Sequence, residues 1–480
     1  MANSEQRLCI IGSGPAGCYV AEHLLKLLPE ARIDVLEKLP VPFGLIRYGV
    51  APDHQSTKGA ARVLDRTLSR DRVRFFGNVE VGRDIMLNEV RAMYHGVVLA
   101  TGAPSDRKLG IPGEELPNVL GSGSFVGWYN GHPLRAIPEL HEVRSAVIIG
   151  NGNVALDVAR ILAKHGDELK GSDLTPDVLE ALRSQPIEDI HIVGRRGAAE
   201  AKFSPSELKE IGTLQRAKPV INDPSALSGD TPVEQVLREF ATDGRTGLPV
   251  TIHFHFGLAP LAFTDGEESS RIEVREGKEE TSGAKAPTSF QRSERWPEGQ
   301  LYPSSRRPEG RLYPEGQLYP GSRLESVLFR SASGEIEIPA QLAVTCIGYE
   351  AVPCCSAAPA NGVFTNNAGK IDEGVYVVGW AKRGPSGTIP TNRAEALNVA
   401  QKIATEIAEG AKQAGANLTA PDLTEVLESR AVVWVDYAGW KRIEAAERAG
   451  ADDQRCRLKI LRAGDMLQAA QQVDLPLKEN

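Results

Sequence analysis

The sequence has little of what several common functional classes require. Its six cysteines show no CxxC spacing, which argues against a cysteine-based zinc site or a dithiol redox centre. No uninterrupted apolar run is long enough to cross a membrane. The chain also lacks a long basic run, and 55 Lys and Arg against 63 Asp and Glu give a formal net charge of −8. We therefore expect neither a membrane span nor nucleic acid as a partner.

What remains is an ordinary globular composition, with 41% apolar and 25% charged residues over 480 positions. This length suits two or three domains with cores of their own. The first apolar strand, Leu8 to Ile11, begins so close to Met1 that it leaves no room for a signal or transit segment. We expect a soluble cytoplasmic monomer, with the mitochondrial matrix as its location only if a transit peptide has been removed.

A glycine-rich turn follows that strand, and its glycines and small residue are Gly12, Gly14, Ala16 and Gly17. In such a strand-turn-helix the first glycine makes the tight turn, the second lets the backbone approach a pyrophosphate, and the third lets helix and strand pack closely. A second strand ends on Glu37, 20 residues beyond Gly17. A carboxylate at this distance accepts hydrogen bonds from a ribose diol. The pattern predicts a dinucleotide site, whereas a lone glycine pattern often marks only a tight turn.

A second copy of this pattern occurs at residues 149–155, Ile-Gly-Asn-Gly-Asn-Val-Ala. The next strand, Ile190 to Val193, is followed by Arg195 and Arg196 instead of an acid. Two guanidiniums can bind a 2′-phosphate that a carboxylate would repel. This half is therefore predicted to prefer NADPH over NADH, the alternative being a solvated arginine pair at a strand end.

The rest of the chain indicates how these two units are connected. A Pro- and Gly-rich stretch at 40–54 is predicted to be a functional loop without helix or strand. A late strand, loop and helix between 375 and 411 suggest that C-terminal sequence completes the first unit. A repeated Pro-Glu-Gly-x-Leu-Tyr-Pro segment at about 291–320 has irregular spacing, so we interpret it as a surface insertion without a role in the chemistry, the alternative being a proline-motif docking segment.

Seven ordered motifs now identify a family. The chain resembles the adrenodoxin reductase family of ferredoxin–NADP⁺ reductases, which are flavoproteins of the glutathione-reductase-like type. The resemblance covers nearly the whole chain and rests on GSGPAG at 12–17, PVPFGLIRYGVAPDH at 40–54, FFGNVEVGRD at 75–84, FVGWYNG at 125–131, GNGNVALDVARIL at 150–162, VGRRG at 193–197 and VGWAKRGPSGTIPTN at 378–392.

The resemblance implies an α/β fold with two Rossmann-like, three-layer ββα dinucleotide-binding domains, the NADP domain being inserted into the FAD domain. We expect residues 1–106 and 350–480 to form the FAD domain and residues 107–349 the NADP domain. The resemblance further implies that FAD is bound by Ala16, Glu37, Leu45, Val81, Trp380, Gly387, Thr388 and Ile389. NADP(H) would be bound by Arg107, Asn153, Val154, Ala155, Leu156, Arg195, Arg196 and Glu207, and by Gly387 where both cofactors meet.

The implied activity is hydride transfer from NADPH to FAD, followed by release of single electrons to an adrenodoxin-like [2Fe-2S] ferredoxin. Three departures from the family stand out. Pro390 occupies a position where glycine or alanine is usual, the repeat insertion is foreign, and the segment 233–245 offers only Arg238 and Arg245 where mitochondrial relatives carry a dense basic run that docks ferredoxin.

Two titratable residues are candidates for catalysis. His54 ends the Pro-rich loop, and a histidine titrates near neutral pH, so it could exchange a proton with the reduced flavin, or it could only hydrogen-bond backbone. Asp157 lies in the first turns of a helix and could relay a proton, although the helix dipole alone also favours a carboxylate there. No metal is expected.

Two other functions stay open. One is a flavin-dependent NADPH electron-donor subunit of another oxidoreductase, although the N-terminal cysteine clusters usual in such subunits are absent. The other is a non-catalytic NADPH/NADP⁺ sensor. A thioredoxin-reductase-like enzyme would need a CxxC beside the second glycine turn, and the sequence has none there.

Overall fold

The computed structural model describes residues 6–135, 137–265, 323–354, 357–410 and 421–472. The repeat segment at 291–320 lies outside the described residues, so its interpretation as an insertion stays a prediction. Among the helices of the described ranges, none combines the length and the apolarity that a bilayer crossing requires.

Strands and helices alternate through most of the described chain. The strands are β1 (Arg7–Ile11), β2 (Arg32–Glu37), β3 (Val73–Gly77), β4 (Gly96–Leu99), β5 (Ser105–Asp106), β6 (Val119–Gly121), β7 (Ser145–Ile149), β8 (Asp189–Gly194), β9 (Ala217–Ile221), β10 (Val250–Phe256), β11 (Ala259–Thr264), β12 (Ser326–Ser331), β13 (Gly334–Pro339), β14 (Leu342–Thr345), β15 (Tyr349–Glu350), β16 (Lys370–Asp372) and β17 (Val375–Val377). The α-helices are α1 (Pro15–Leu27), α2 (Leu45–Tyr48), α3 (Gln55–Lys58), α4 (Ala61–Leu68), α5 (Leu87–Met93), α6 (Ser122–Tyr129), α7 (Asn153–Ala163), α8 (Pro176–Ser184), α9 (Pro205–Gly212), α10 (Pro232–Ala241), α11 (Trp380–Arg383), α12 (Ile389–Ala408), α13 (Leu423–Ser429), α14 (Tyr437–Ala449) and α15 (Ala463–Gln471).

The first sheet combines strands from both ends of the chain. Its order is β16-β17-β4-β1-β2-β3, with β1 parallel to β2 and β4, and β17 parallel to β4. Helices α1 and α12 cover one face, where Val20 and Leu24 pack with Val399 and Ile403. C-terminal sequence therefore completes the first unit, as the late strand, loop and helix predicted.

The second sheet is built from chain that lies between the two parts of the first. Its order is β6-β14-β7-β8-β10-β9, and neighbouring strands pair in parallel. Helices α7 to α10 cover one face. The antiparallel sheet β11-β12-β13 covers the other, with Val147 and Val193 packed against Phe263 and Phe329. This is the predicted three-layer ββα arrangement, and one dinucleotide-binding unit is inserted into the other.

The two crossings between the units run side by side. β5 and β15 form an antiparallel two-stranded ribbon, which we call the crossing ribbon, with Tyr349 opposite Asp106 and Glu350 opposite Ser105. The carboxylate of Asp106 accepts hydrogen bonds from the backbone N–H groups of Gly123 (2.6 Å) and Ser124 (3.1 Å), which ties the ribbon to the start of α6. The domain limits expected after residues 106 and 349 fall on this ribbon, but as limits they stay a prediction.

One local prediction was wrong. The stretch 40–54 was expected to contain no helix, yet α2 forms a single turn within it. Phe43 (φ +83°) and Gly44 (φ +49°) reverse the chain just before that turn. Four residues at Leu45–Tyr48 then have room for one helical turn between the Pro- and Gly-rich flanks.

Candidate functional site

The first glycine turn is fixed by close backbone approach. Gly12 has φ +111°, and a Cβ on it would lie 2.3 Å from the carbonyl oxygen of Ala100. A Cβ on Gly17 would lie 2.1 Å from the carbonyl oxygen of Gly12. At Gly14, by contrast, no heavy atom lies within 4 Å of a Cβ position, and no side chain caps the start of α1. The start of α1 therefore has no side-chain cap, and the side of Gly14 where a Cβ would stand is open.

The second turn repeats this geometry. Gly150 has φ +140°, and a Cβ on it would lie 2.3 Å from the carbonyl oxygen of Cys346. Gly152 again has open space around it, and α7 begins without a side-chain cap. An uncapped helix N-terminus with space in front of it is an anion site. Both turns thus fit the pyrophosphate of a dinucleotide.

Glu37 lies beside the first turn at the carboxyl end of β2. Its Oε2 accepts hydrogen bonds from the backbone N–H (3.1 Å) and the hydroxyl (2.7 Å) of Ser13, and its Oε1 accepts one from the N–H of Leu39 (3.1 Å). The carboxylate is therefore fixed next to the phosphate turn. This is the position that a ribose-binding acid requires.

Two later segments of the chain close around the same turn. A Cβ on Gly44 would lie 3.3 Å from Cα of Gly14, and a Cβ on Gly379 would lie 2.7 Å from Cβ of Ala16. Leu45, next along the chain, is 46% exposed. Val81 is partly buried and packs on the hydrophobic cluster beneath β2 and β3. The structure thus brings Gly44, the residue before Leu45, and Gly379 against the turn that contains Ala16.

The loop that precedes α12 lines the remaining side of the space around the first glycine turn. Trp380 donates its indole N–H to the carbonyl of Ser386 (3.1 Å), and its ring stacks on Tyr349 with centroids 5.7 Å apart and planes 15° apart. Gly387 has φ +83°, and a Cβ there would lie 2.7 Å from Cγ2 of Thr391. The stack joins this loop to the crossing ribbon.

Pro390 does not disturb this loop. Thr388 is the N-cap of α12, Ile389 is its first residue, and Pro390 follows in the first turn. A proline is tolerated there because the first N–H groups of a helix have no intrahelical partner. Glu395 then anchors the segment, since it accepts a hydrogen bond from the N–H of Gly379 (2.9 Å) and pairs with Lys382 (3.0 Å).

Around the second turn, hydrogen bonds align two helix starts. The Asn153 side chain accepts a hydrogen bond from the N–H of Ser204 (2.7 Å) and donates one to its hydroxyl (3.3 Å). The Ser204 hydroxyl also accepts the N–H of Glu207 (3.3 Å). Ala155 and Leu156 are buried, so only their backbone can reach a nucleotide, and Val154 is partly buried.

The three arginines expected at NADP(H) are solvent-exposed. Arg107 lies on the crossing and donates its N–H to the carbonyl of Gly348 (3.1 Å). Arg196 is 3.8 Å from Glu200, with its side chain 57% exposed, and Arg195 forms no ion pair with any described residue. Both follow β8 at the carboxyl edge of the second sheet. Their guanidiniums are available to a phosphate.

The two catalytic candidates lie together. His54 Nε2 is 3.0 Å from Oε2 of Glu210, and His54 Nδ1 is 3.8 Å from Oδ1 of Asp157. The Pro-rich loop therefore meets α7 and α9 at one histidine. Asp157 also accepts a hydrogen bond from Arg160 (2.8 Å), which pairs with Asp53 as well.

Burial shapes the ionisation of this cluster. Burial raises the pKa of Asp157, even though Arg160 and His54 act to lower it. Burial, followed by repulsion from Asp157, raises the pKa of Glu207. Burial would raise the pKa of Asp53 too, yet Arg160 and Lys164 lower it to about 2. The expected dipole effect at Asp157 is therefore outweighed by desolvation.

Sequence reasoning missed Glu210, Arg160 and Tyr349. Glu210 follows Glu207 by one helical turn, so an i, i+3 pair of acids on a predicted helix was the signal that could have found it. Arg160 follows Asp157 at the same spacing. Tyr349 carried no local signal, since its stack on Trp380 forms only in the folded chain.

Two uncapped glycine turns, an acid beside the first and exposed arginines after β8 beside the second define a two-dinucleotide oxidoreductase fold. Comparison with known families agrees: residues 6–198 match the pyridine nucleotide-disulphide oxidoreductase family. The chain is 36% identical over 472 residues to NADPH:adrenodoxin oxidoreductase, mitochondrial, of Bos taurus, covering 96% of this chain and 91% of the relative. It is 34% identical over 489 residues to NADPH-ferredoxin reductase FprA of Mycobacterium tuberculosis, covering 96% and 98%.

A solved structure of Mycobacterium tuberculosis FprA in complex with NADPH matches with a TM-score of 0.81 and 31% identity, over 97% of this chain and 99% of that one. The chain therefore belongs to the adrenodoxin reductase family of NADPH-dependent flavoproteins. This membership confirms the recognised family, the fold class, the enzyme class and the FAD and NADP(H) cofactors. The individual binding and catalytic residues are proposals that rest on the geometry above.

Proposed function

We propose that this chain is a ferredoxin–NADP⁺ reductase, which takes a hydride from NADPH and delivers single electrons to an adrenodoxin-like [2Fe-2S] ferredoxin. The observation that carries the proposal is a loop, residues 379–388, which lies against the first dinucleotide turn at one point and against the crossing to the second unit at another. Gly379 touches Ala16 of the first turn, and Pro385 lies 3.4 Å from a Cβ position on Gly348 of the second unit. FAD, when bound, supplies the change from two-electron to one-electron transfer.

The chain's own residues position the reacting groups. Glu37 and the start of α1 bind the ribose and pyrophosphate of one cofactor, and Arg195 and Arg196 bind the 2′-phosphate of the other. Trp380 and Tyr349 stack on each other and would line the flavin site when FAD is bound. His54 Nε2 lies within hydrogen-bond distance of Glu210 (3.0 Å), while Asp157 faces its Nδ1. Such fixed geometry matters because an error of about 1 Å can cost roughly a hundredfold in rate.

An anaerobic titration with NADPH and, separately, with NADH tests the proposal by following the visible flavin band. We expect bleaching at low NADPH and only at much higher NADH. Addition of an oxidised [2Fe-2S] ferredoxin to the reduced enzyme should then restore the band with two ferredoxins reduced per flavin. Bound flavin that neither nucleotide reduces would refute the reductase and favour the sensor. Reduction by NADPH without transfer to any ferredoxin would favour the electron-donor subunit.

The partner surface differs from the family pattern in its charges. Arg238 donates to the carbonyls of Gly229 and Leu227 and lies 3.5 Å from Asp230. Arg245 pairs with Asp243 (2.6 Å) and donates to the carbonyl of Leu214 (2.8 Å). Both cations of the segment 233–245 thus already form hydrogen bonds and ion pairs with other residues of this chain.

We therefore propose that an acidic ferredoxin gains less from this segment than from a dense basic run, because exposed charge pairs contribute little. The KM for ferredoxin should then rise only slightly with ionic strength, and Arg238→Ala should leave it nearly unchanged. A steep salt dependence that Arg238→Ala abolishes would contradict this proposal. We further propose a cytoplasmic monomer, which cell fractionation and light scattering of the purified protein would test.

A further inference from the structure

Three side chains from different elements converge beside the second turn. His54 of the Pro-rich loop, Asp157 of α7 and Glu207 of α9 each present one nitrogen or oxygen atom, and these atoms all lie within 4.8 Å of one another. All three residues are half-buried. Among the described residues, this is the group of three whose atoms lie closely enough to share a metal ion.

The charge around these side chains is unbalanced. Four carboxylates, those of Asp53, Asp157, Glu207 and Glu210, face two cations, Arg160 and Lys164. Counting these six side chains alone, the formal sum is 2 − 4 = −2. Arg160 pairs with Asp53, Asp157 and Glu210, and Lys164 pairs with Asp53, so two cations are shared among three of the four acids. One divalent cation would bring the sum to zero.

The donor set selects the kind of cation. Magnesium prefers oxygen ligands in a near-ideal octahedron and keeps several waters. Zinc accepts one imidazole nitrogen with carboxylate oxygens at bond lengths of about 2.0–2.2 Å. Such bonds place tetrahedral ligand atoms about 3.3 Å apart. The His54 Nδ1 to Asp157 Oδ1 distance is 3.8 Å and all three ligand atoms lie within 4.8 Å of one another, so side-chain rotations that bring these atoms closer would complete the set.

We propose that His54, Asp157 and Glu207 form an inhibitory site for a zinc ion. In the proposed function His54 exchanges a proton and Glu207 contacts NADP(H). A zinc ion bound to these two side chains therefore competes with NADPH. That competition rests on the proposed function, whereas binding of the ion does not. The lack of CxxC spacing is no obstacle, because this site uses nitrogen and oxygen ligands.

Isothermal titration of the oxidised, FAD-loaded enzyme with zinc chloride tests binding without any nucleotide. The buffer is neutral and free of phosphate and chelators. We expect one ion per chain, with affinity weakened at least about tenfold in His54→Gln and in Glu207→Gln, the loss that even supporting groups of metal sites cause. The two variants lie on different elements, and flavin absorbance per chain confirms that each is folded.

Two matched controls distinguish coordination by these three ligands from a general effect of charge and from binding at another histidine. Glu210→Gln removes an equal charge without removing one of the three ligands, so its loss should be smaller than that of Glu207→Gln. His255→Gln removes half of a second imidazole pair, in which His191 Nδ1 and His255 Nε2 lie 3.0 Å apart, and should leave binding unchanged. No binding, equal losses in Glu210→Gln and Glu207→Gln, or loss only in His255→Gln would each overturn the proposal.

Stopped-flow reduction of the flavin by NADPH then tests the competition. Zinc should raise the NADPH concentration needed for half-maximal rate and leave the limiting rate unchanged, and His54→Gln should weaken this effect relative to its own metal-free rate. Zinc that binds but leaves flavin reduction by NADPH unaffected would overturn the inhibitory role. Failure of NADPH to reduce the flavin without zinc would refute the proposed function and not the binding measured by titration.

Discussion

Replacement of Arg195 and Arg196 tests how the second unit distinguishes its nucleotide. Both guanidiniums follow β8 in solvent, and Arg196 has only a distant neighbour, Glu200 at 3.8 Å. Neither supports the core, so Arg195→Ala and Arg196→Ala should fold normally. The variants thus remove phosphate contacts without disturbing the glycine turn.

The expected increase in the KM for NADPH follows from the exposure of the two arginine side chains. A hydrogen bond to a charged group contributes about 1.5–3 kcal/mol, and solvent exposure places these contacts at the lower end. A loss of about 1.4 kcal/mol is tenfold in affinity, so each single variant should raise the KM for NADPH roughly tenfold. The double variant should lose somewhat less than about a hundredfold, because both residues bind one phosphate and their effects are not additive.

Steady-state kinetics with NADPH and NADH in parallel provide the assay. The KM for NADH should not change, because NADH lacks the 2′-phosphate. Arg144→Ala is the matched control, since Arg144 is also exposed, pairs with Glu188 and precedes β7 at the opposite edge of the same sheet. Equal losses for both nucleotides, or a loss in Arg144→Ala, would refute the phosphate-binding role.

Three further predictions concern Glu37, the stack of Tyr349 on Trp380, and Asp53. Glu37→Gln should lower the FAD retained per chain after gel filtration, because it weakens the acceptor at the ribose; unchanged flavin content would contradict that role. Tyr349→Ala should slow flavin reduction by NADPH, whereas Tyr349→Phe keeps the stack on Trp380 and should retain most of the rate; equal rates in both would show that the stack is dispensable. The pKa of Asp53 is about 2 in the folded protein, against about 3.9 in the unfolded chain. Ionised Asp53 should therefore add about 2 kcal/mol to the free energy of unfolding at pH values above about 3.9, and this contribution should be lost as the pH falls through about 2. Urea unfolding across that range should show this loss in the wild type and not in Asp53→Asn.

The glycine turns could be predicted from sequence because their requirements are local. The local part is the positive φ that Gly12 and Gly150 each need within one strand-turn-helix, whereas the carbonyl oxygens that exclude a Cβ there belong to Ala100 and Cys346, which follow neighbouring strands. Glu37 could be predicted for a similar reason, since the length of one helix and one strand fixes its distance from the turn. The order of motifs along the chain then indicated how the units are nested.

The cluster around His54 could not be predicted in the same way. Its hydrogen-bond partner Glu210 is 156 positions away in the chain, and only the packing of the two units brings them together. The ionisation of Asp157 shows the same limit. Its place near a helix start favours the carboxylate, but burial, which depends on everything packed around it, raises its pKa instead.

The position of His54 depends in turn on a buried ionic network that joins distant parts of the chain. Arg47 of α2 forms a bidentate pair with Glu447 of α14, with one contact of 2.9 Å. Lys58 of α3 and Lys459 of the C-terminal segment both lie 2.9 Å from the carboxylate of Asp173, which belongs to the second unit. Buried ion pairs add little net stability, but removing one partner leaves an uncompensated charge. We infer that this network fixes the loop between Arg47 and Lys58, and with it His54, against the second unit, so the distance from His54 to Asp157 is set partly by the C-terminal segment.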